Sequence, residues 1–478
     1  MRIDTFKQDW RWLALLALLG VAALWTGWAG FIASDDSLYY QGANRWLIDP
    51  PFAGSDHWST RFPLILVFAG ALATIGRNFV AFAATALVGY VALVALMGAF
   101  AARIGGGRSG WIAAILTATL PVVIANATTV SVDLYEASFL LGGAMLLGDA
   151  GDDARGLRRG LAAGLCFGMA ILCRETALLA LVGLGPIFLI GKPVPRRVLI
   201  AAGMGLVVVL GGEALFQAAL TGEPLRRYTI AFHHDEHIDR AANKEGNFLL
   251  HPAVDPFLVL LINDDFGLLF WLAGAALWLG ALRTIDGGGR HRLWVLAAMG
   301  AASFALVAVL VHKLVLNPRY FLIPALVAVT VVAIWLDRLA PRWRMLLIAT
   351  IVSSNLLLLS VGNAHPRWAM EALVDAAKAY PNETISGDPV DVRRAHVPMA
   401  FAGLDNTRYA PAAPGTLLVA PEENAPAGDI LRRYPSPPTR LGGLIEATGL
   451  KPLVPSALAH RMFAPSPAVV LVRTPPSG

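Results

Sequence analysis

Charge is scarce in this sequence. Only 15% of its 478 residues are Asp, Glu, Lys or Arg, while 56% are hydrophobic. A soluble fold of this length needs far more charge to cover its surface, so that class is excluded. Cysteine is nearly missing, with two in the chain. Cys166 and Cys173 stand seven residues apart in an apolar stretch. That spacing suits one buried helix face and gives neither a disulfide framework nor a metal-ligand pattern. Internal repeats, low-complexity tracts and soluble nucleotide-binding motifs are absent too. The net charge of +5 invites a nucleic-acid reading. The cations, however, crowd short loops between apolar runs, as in a membrane protein, and nucleic acid is not an expected partner.

What the sequence does have is long apolar runs, such as 79–102 and 321–336. Runs of roughly 20 apolar residues match the bilayer core at about 1.5 Å rise per residue. They lack the polar stripe of a surface helix. The N-terminus, basic over 1–11 and apolar over 12–33, reads as an uncleaved signal anchor. Candidate spans are 10–33, 78–101, 109–126, 134–148, 159–173, 176–190, 198–220, 266–282, 293–311, 321–336 and 345–361, about eleven in all. The expected fold is an all-α polytopic membrane protein over 1–361, followed by a small α/β domain over 362–478.

One apolar segment, 62–76, is left over, and parity decides its place. If it lies in the interface without crossing, the loops 103–108, 155–159, 192–197, 283–292 and 338–344 all fall on the cytoplasmic side. With the N-terminal tail they hold about 17 Lys and Arg, against about 10 in the opposite loops between spans. If it crosses, every basic loop moves outside, against the positive-inside rule. The non-crossing arrangement puts loop 34–77, the long loop 221–265 and residues 362–478 on the extracytoplasmic side. The last region is richer in Pro, Asp and Glu. It carries short β-like runs at 416–419 and 469–472, a helix-like 368–380, and a tail from Thr474 expected to be disordered.

In this topology the unusual polar residues share one face. The first outer loop reads Ser34-Asp35-Asp36-Ser37-Leu38-Tyr39-Tyr40, then His57-Trp58-Ser59-Thr60-Arg61-Phe62-Pro63. Asp133 and Glu136 follow in the second, and Arg319-Tyr320 opens a late span. Acidic residues at the end of a span are expensive unless they face a wet cavity or a partner. Plainer explanations stand beside the functional one. Asp35-Asp36 can cap a helix starting near Ser37. Asp133 can be a solvated loop end, and Arg319-Tyr320 an interfacial anchor. Arg174-Glu175 reads as a neighbouring ion pair or a helix-end feature. In 233–237, His233 and His237 are four apart, the spacing of a metal-binding helix face. An exposed polar run accounts for the same stretch.

Taken in order, these segments resemble the GT-C glycosyltransferases, in particular the group of protein mannosyltransferases, lipid A aminoarabinose transferases and lipopolysaccharide galacturonosyltransferases. An acidic pair before a Tyr follows the first span (Asp35-Asp36, Tyr39). A His-to-Pro segment then opens an interfacial helix (His57 to Pro63). A second acid follows the third span (Asp133), and Arg-Tyr opens a late span followed by Pro (Arg319-Tyr320, Pro324). The pattern covers roughly 10–340. It departs from the group in having Asp36 where Glu is common, and in 57–61, which replaces a basic-Pro-Pro stretch.

The resemblance implies transfer of a monosaccharide, hexose or pentose, from a polyprenyl-phosphate donor to an envelope glycan, lipid or protein. The active site would face the periplasmic side of a bacterial-type inner membrane. The chemistry needs a base, a cationic clamp for the carrier phosphate, and alignment. Asp35 is the candidate base, Asp36 the residue expected to position the acceptor, and Asp133 a further catalytic-site acid. Arg319, helped by Arg61, would bind the phosphate, with Tyr39, His57, Glu136 and Tyr320 as further substrate contacts. Direct displacement with one base implies inversion. No cofactor is required, and a divalent metal is optional. A lipid transporter or flippase is the rival reading. It would place ionisable groups near the bilayer midplane, where this sequence has few.

Overall fold

The computed structural model describes residues 10–233, 250–251, 254–283, 285–310, 316–362, 368–404 and 408–475. In chain order the helices of the first part are α1 (Trp10–Gly27), α2 (Asp35–Ile48), α3 (Phe62–Ile75), α4 (Phe79–Gly105), α5 (Gly107–Thr119), α6 (Pro121–Ala127) and α7 (Asp133–Gly148). Then come α8 (Ala154–Cys173), α9 (Ala177–Leu181), α10 (Leu184–Ile190), α11 (Arg196–Thr221), α12 (Arg226–His233) and α13 (Asp255–Ile262). The last are α14 (Leu269–Trp278), α15 (Gly287–Val309), α16 (Leu322–Arg338) and α17 (Pro341–Gly362), with a 3₁₀ turn, Pro318–Phe321, leading into α16.

Among the described residues seven helices are long and apolar enough to cross a membrane: α1, α4, α8, α11, α15, α16 with its leading turn, and α17. Counted as one broken span, the bent pair α5–α6 makes an eighth. The other three expected spans form shorter elements. The 16-residue α7 covers 134–148, the broken pair α9–α10 lies within 176–190, and the ten-residue α14 lies within 266–282. The leftover segment forms α3, 14 residues long. At about 1.5 Å per residue that is about 21 Å, short of a bilayer core of about 30 Å. Leu13, Leu18 and Val21 of α1, and Val207, Val208 and Leu215 of α11, lie exposed. Lipid covers such faces, and the chain is an integral membrane protein.

Small residues bring the helices together, as expected where lipid removes the hydrophobic drive for helix association. A Cβ on Gly164 of α8 would lie 1.9 Å from the Ala202 carbonyl oxygen of α11, and one on Gly205 would lie 2.2 Å from that of Leu161. Between α5 and α6 the chain bends by 62°. Pro121 drives Leu120 into an extended conformation (φ −68°, ψ 126°) and ends α5. The Val122 amide, left without a helical partner, donates to the Asp265 carbonyl at 3.0 Å.

After α17 the chain builds a four-stranded sheet in the order β1-β2-β4-β3, from β1 (Ile385–Ser386), β2 (Leu417–Pro421), β3 (Asp429–Tyr434) and β4 (Val469–Arg473). β1 runs parallel to β2, whereas β4 is antiparallel to both β2 and β3. Helix α18 (Trp368–Ala379) lays Leu373 and Ala377 in one core with Ile385, Leu417, Val419 and Leu471. Helices α19 (Pro389–Phe401), α20 (Arg440–Ala447) and α21 (Ser456–Phe463) complete this part, and α20 and α21 seat it on α1 and α17. The expected tail disorder does not begin at Thr474. Its amide donates to Thr416 O at 3.0 Å and its hydroxyl to Ala413 O at 2.8 Å, extending the sheet edge.

Candidate active site at one end of the bundle

The two acids that open α2 are held differently. Asp36 is buried, and both of its oxygens are engaged. Oδ1 accepts from the amides of Ser34 (2.7 Å) and Ser37 (3.0 Å), and Oδ2 from the Ile32 amide (2.7 Å) and the Thr129 hydroxyl (3.3 Å). Its carboxylate therefore fastens the turn that starts the helix, which leaves no open lone pair for an acceptor. Asp35 is part-exposed and turned toward Arg319, whose Nη1 lies 3.5 Å from Asp35 Oδ2. Arg319 is set by the turn beneath it, where Asn317 caps the 3₁₀ turn by accepting from the Arg319 amide at 3.1 Å.

A second group forms where α7 begins and α8 ends. Asp133, the first residue of α7, is buried and ion-paired with Arg174. Ser131 Oγ lies 2.7 Å from Asp133 Oδ2 and 2.7 Å from Asn126 Oδ1. The Arg174 guanidinium also lies over the Tyr320 ring, 4.3 Å from its centroid, while Arg319 lies 5.9 Å from the same ring. Tyr320 thus separates the two cations. Glu136, one turn along α7, has Thr176 Oγ1 at 3.5 Å. Arg174 and Glu175 do not pair with each other: Glu175 binds Arg227 of α12 at 2.7 Å.

The third group lies behind α2. Arg61 is buried, donates to the Tyr39 hydroxyl, and has Nη2 2.6 Å from His57 Nε2. Burial raises the pKa of the Tyr39 hydroxyl against the pull of Arg61, so the phenol stays protonated. Arg61 and His57 line neither of two clefts in which the other candidates meet. One cleft is narrow, with a cavity volume of about 20 Å³, and is lined by Asp133, Glu136, Arg174, Thr176, Arg319 and Tyr320 among others. The other has a cavity volume of about 220 Å³ and is lined by Asp35, Asp36, Tyr39, Asn126, Asp265 and Arg319 among others. Arg319 is common to both.

Sequence reasoning missed Asp265 and Arg227 as members of this region and read Arg174 only as a neighbouring ion pair or helix-end feature. Asp265 stood in the sequence as half of an Asp-Asp pair before an apolar run, the same signal that marked Asp35-Asp36. Burial, with Asp264 beside it, pushes the Asp265 carboxyl up to about 6. Among the described residues no group of three or more His, Cys, Asp or Glu is placed to hold a metal. His233 is exposed, with Nδ1 2.7 Å from the Thr229 carbonyl oxygen, and His237 lies outside the described residues.

Comparison with known proteins adds the following. Residues 56–218 match the family described as dolichyl-phosphate-mannose-protein mannosyltransferase. No curated protein matches the chain by sequence. The structure of ArnT from Cupriavidus metallidurans in the apo state superposes with a TM-score of 0.58 at 13% identity, over 89% of this chain and 96% of that one. ArnT from the same organism bound to undecaprenyl phosphate gives 0.55 at 12% identity, over 98% of each chain. The Archaeoglobus fulgidus oligosaccharyltransferase AglB, in complex with an inhibitory peptide and a dolichol-phosphate, gives 0.50 at 15% identity, over 82% of this chain and 64% of AglB. At these identities the likeness is one of fold. The chain thus has the GT-C glycosyltransferase fold, with a mannosyltransferase-family sequence match over residues 56–218.

Proposed function

We propose that the protein is a membrane glycosyltransferase that moves a monosaccharide from a polyprenyl-phosphate donor to an envelope glycan, lipid or protein, with inversion at the anomeric carbon. The observation that carries this reading is the part-exposed Asp35 carboxylate, 3.5 Å from Arg319 at the junction of two clefts. Asp35 takes the proton of the acceptor hydroxyl. The hydroxyl oxygen bonds to the anomeric carbon as the bond to the carrier phosphate breaks, and the electron pair leaves with the phosphate. Arg319 receives that phosphate, its planar fork suiting two phosphate oxygens. Its Nε has no hydrogen-bond partner among the described residues.

The other residues take supporting places. Asp133 holds Arg174 over Tyr320. Glu136 lines the smaller cleft, beside Thr176. Asp36 presents Asp35, while Arg61 and His57 brace Tyr39 from behind. Loop charge supports placing this end and the C-terminal sheet on the periplasmic side of a bacterial-type inner membrane. The ArnT structure with undecaprenyl phosphate and the AglB structure with dolichol-phosphate support a lipid-phosphate donor. The test is a deletion strain. Mass spectrometry should find one envelope glycan short of a sugar and a polyprenyl-phosphate sugar accumulating, both reversed by the wild-type gene and not by Asp35→Asn. An unchanged glycan profile and lipid-carrier pool would overturn the reading.

A further inference from the structure

Arg227 is the largest fully buried side chain among the described residues, and the mechanism above does not use it. A charge in so enclosed a place needs partners, and Arg227 finds them through both terminal nitrogens, while its Nε has none among the described residues. Arg227 donates through Nη1 to the Thr60 carbonyl, and through Nη2 to Ile171 O at 3.1 Å and Glu175 Oε1 at 2.7 Å. Two neighbours reach the same stretch of backbone. Arg226 donates to the Gly54 carbonyl, and Gln217 Nε2 donates to that of Ala53 at 3.0 Å. One short region, 217–227, therefore fixes three carbonyls of 53–60.

That stretch is itself a tight set of turns. Asp56 Oδ1 accepts the amides of Trp58 (2.9 Å) and Ser59 (2.8 Å), and Ser59 Oγ accepts those of Ser55 (2.9 Å) and Asp56 (3.0 Å). Its end is Arg61, which holds the hydroxyl of Tyr39, one helical turn from Asp35. On the far side, Glu175 follows directly on Arg174, the partner of Asp133.

We infer that Arg227 is a positioning residue: it locks segment 53–61 behind α2 and thereby fixes Tyr39 and the placement of Asp35. The inference rests on the reading of Asp35 as the base. Its distinguishing feature is that the lock acts on alignment and not on the carrier phosphate, which Arg319 binds from the opposite side. Misplacement of a base by about 1 Å lowers turnover on the order of 10²-fold while binding survives.

The experiment uses the full-length protein in nanodiscs and three readouts on Arg227→Met and Arg227→Lys. Native-state hydrogen exchange should show lost protection confined to 53–61 and the first turn of α2, with α8 and α11 unchanged. Binding of undecaprenyl phosphate should stay within about twofold of wild type. Product formation in the complemented deletion strain, at matched protein level, should fall at least tenfold for Met and less for Lys, which keeps the charge and part of the bonding. Unchanged exchange at 53–61 overturns the proposal, and so does equal loss of carrier binding and product. Should Arg227→Met fail to accumulate, Gln217→Leu removes one of the three fasteners and should deprotect 53–56 alone. A fully active Asp35→Asn enzyme would sink the assignment of the base, while the exchange data would still judge the lock.

Discussion

Arg174, at the end of α8, grips the carboxylate of Asp133, at the start of α7, and lays its other face on Tyr320. One side chain thus ties three elements together at the floor of the smaller cleft. Removing it leaves a buried carboxylate without its ion-pair partner. Arg174→Ala should cost about 3–5 kcal/mol of stability, far more than an exposed pair would. Arg174→Lys, which cannot both pair and stack, should recover part of it. Melting curves in detergent decide the matter, and an Arg174→Ala variant melting with wild type would mean that the pair is solvated.

Asp35 and Asp36 should separate cleanly. Asp36→Ala removes the acceptor of three backbone amides and should cost about 1–3 kcal/mol. Asp35→Asn leaves that turn intact, so its melting temperature should match wild type while sugar transfer falls about 10²-fold or more. Labelled-sugar transfer alongside melting of each variant tests both, and a reversal of the two phenotypes would exchange the roles.

Arg319 offers a fork that lysine lacks. Arg319→Lys should weaken undecaprenyl-phosphate binding about tenfold, and Arg319→Ala more so. Titration of the carrier into nanodisc-embedded variants is the measurement. Equal affinity across the series would reduce Arg319 to an interfacial anchor beside Tyr320.

Asp265 carries a pH signature. Its folded carboxyl titrates at about 6, against an ordinary value of 3.8, because burial and Asp264 disfavour the charge. The folded protein therefore holds this proton more tightly than the unfolded chain does, and stability falls as pH rises from about 4 through 6. Asp265→Asn should match wild type below pH 4 and be more stable above pH 6. Melting at pH 4 and pH 7.5 checks the sign, and a variant less stable than wild type at pH 7.5 would show the carboxylate to be favourably held.

Loop charge predicts a sidedness that reporters can read. Fusions at Asn78 and at Gly449 should both be active with a periplasmic phosphatase and dark with a cytoplasmic fluorophore. Opposite signals at the two sites would mean that the parity of the spans is wrong.

Much of this was legible in the residues. Apolar run length gave the membrane class, and the long spans follow it because hydrocarbon leaves a backbone only internal hydrogen bonds. The acidic pair before Tyr39, Asp133 and Arg319-Tyr320 all arrive at one end of the bundle. Three things were hidden. The division of labour between Asp35 and Asp36 depends on which carboxylate turns back onto Ile32, Ser34 and Ser37, and adjacent letters do not encode that. The pairing of Arg174 with Asp133 spans 41 residues, so the nearer Glu175 looked like its partner. Arg227 lay in a polar loop, and nothing local marked it for complete burial. The length criterion counted 134–148, 176–190 and 266–282 as spans, but run length alone does not show where α7, α9, α10 and α14 stop.

The bend at Leu120-Pro121 also links distant parts of the molecule mechanically. A straight helix keeps its amides to itself; this one releases Val122 to the carbonyl of Asp265, a residue that lines the cleft of Asp35. Two segments that line the same cleft, about 140 residues apart in sequence, are thereby joined by a backbone hydrogen bond. Straightening the helix, for instance by Pro121→Ala, would give Val122 a partner within its own span and cut that tether. An apolar position with no chemistry of its own thus governs how firmly one wall of the Asp35 cleft is held.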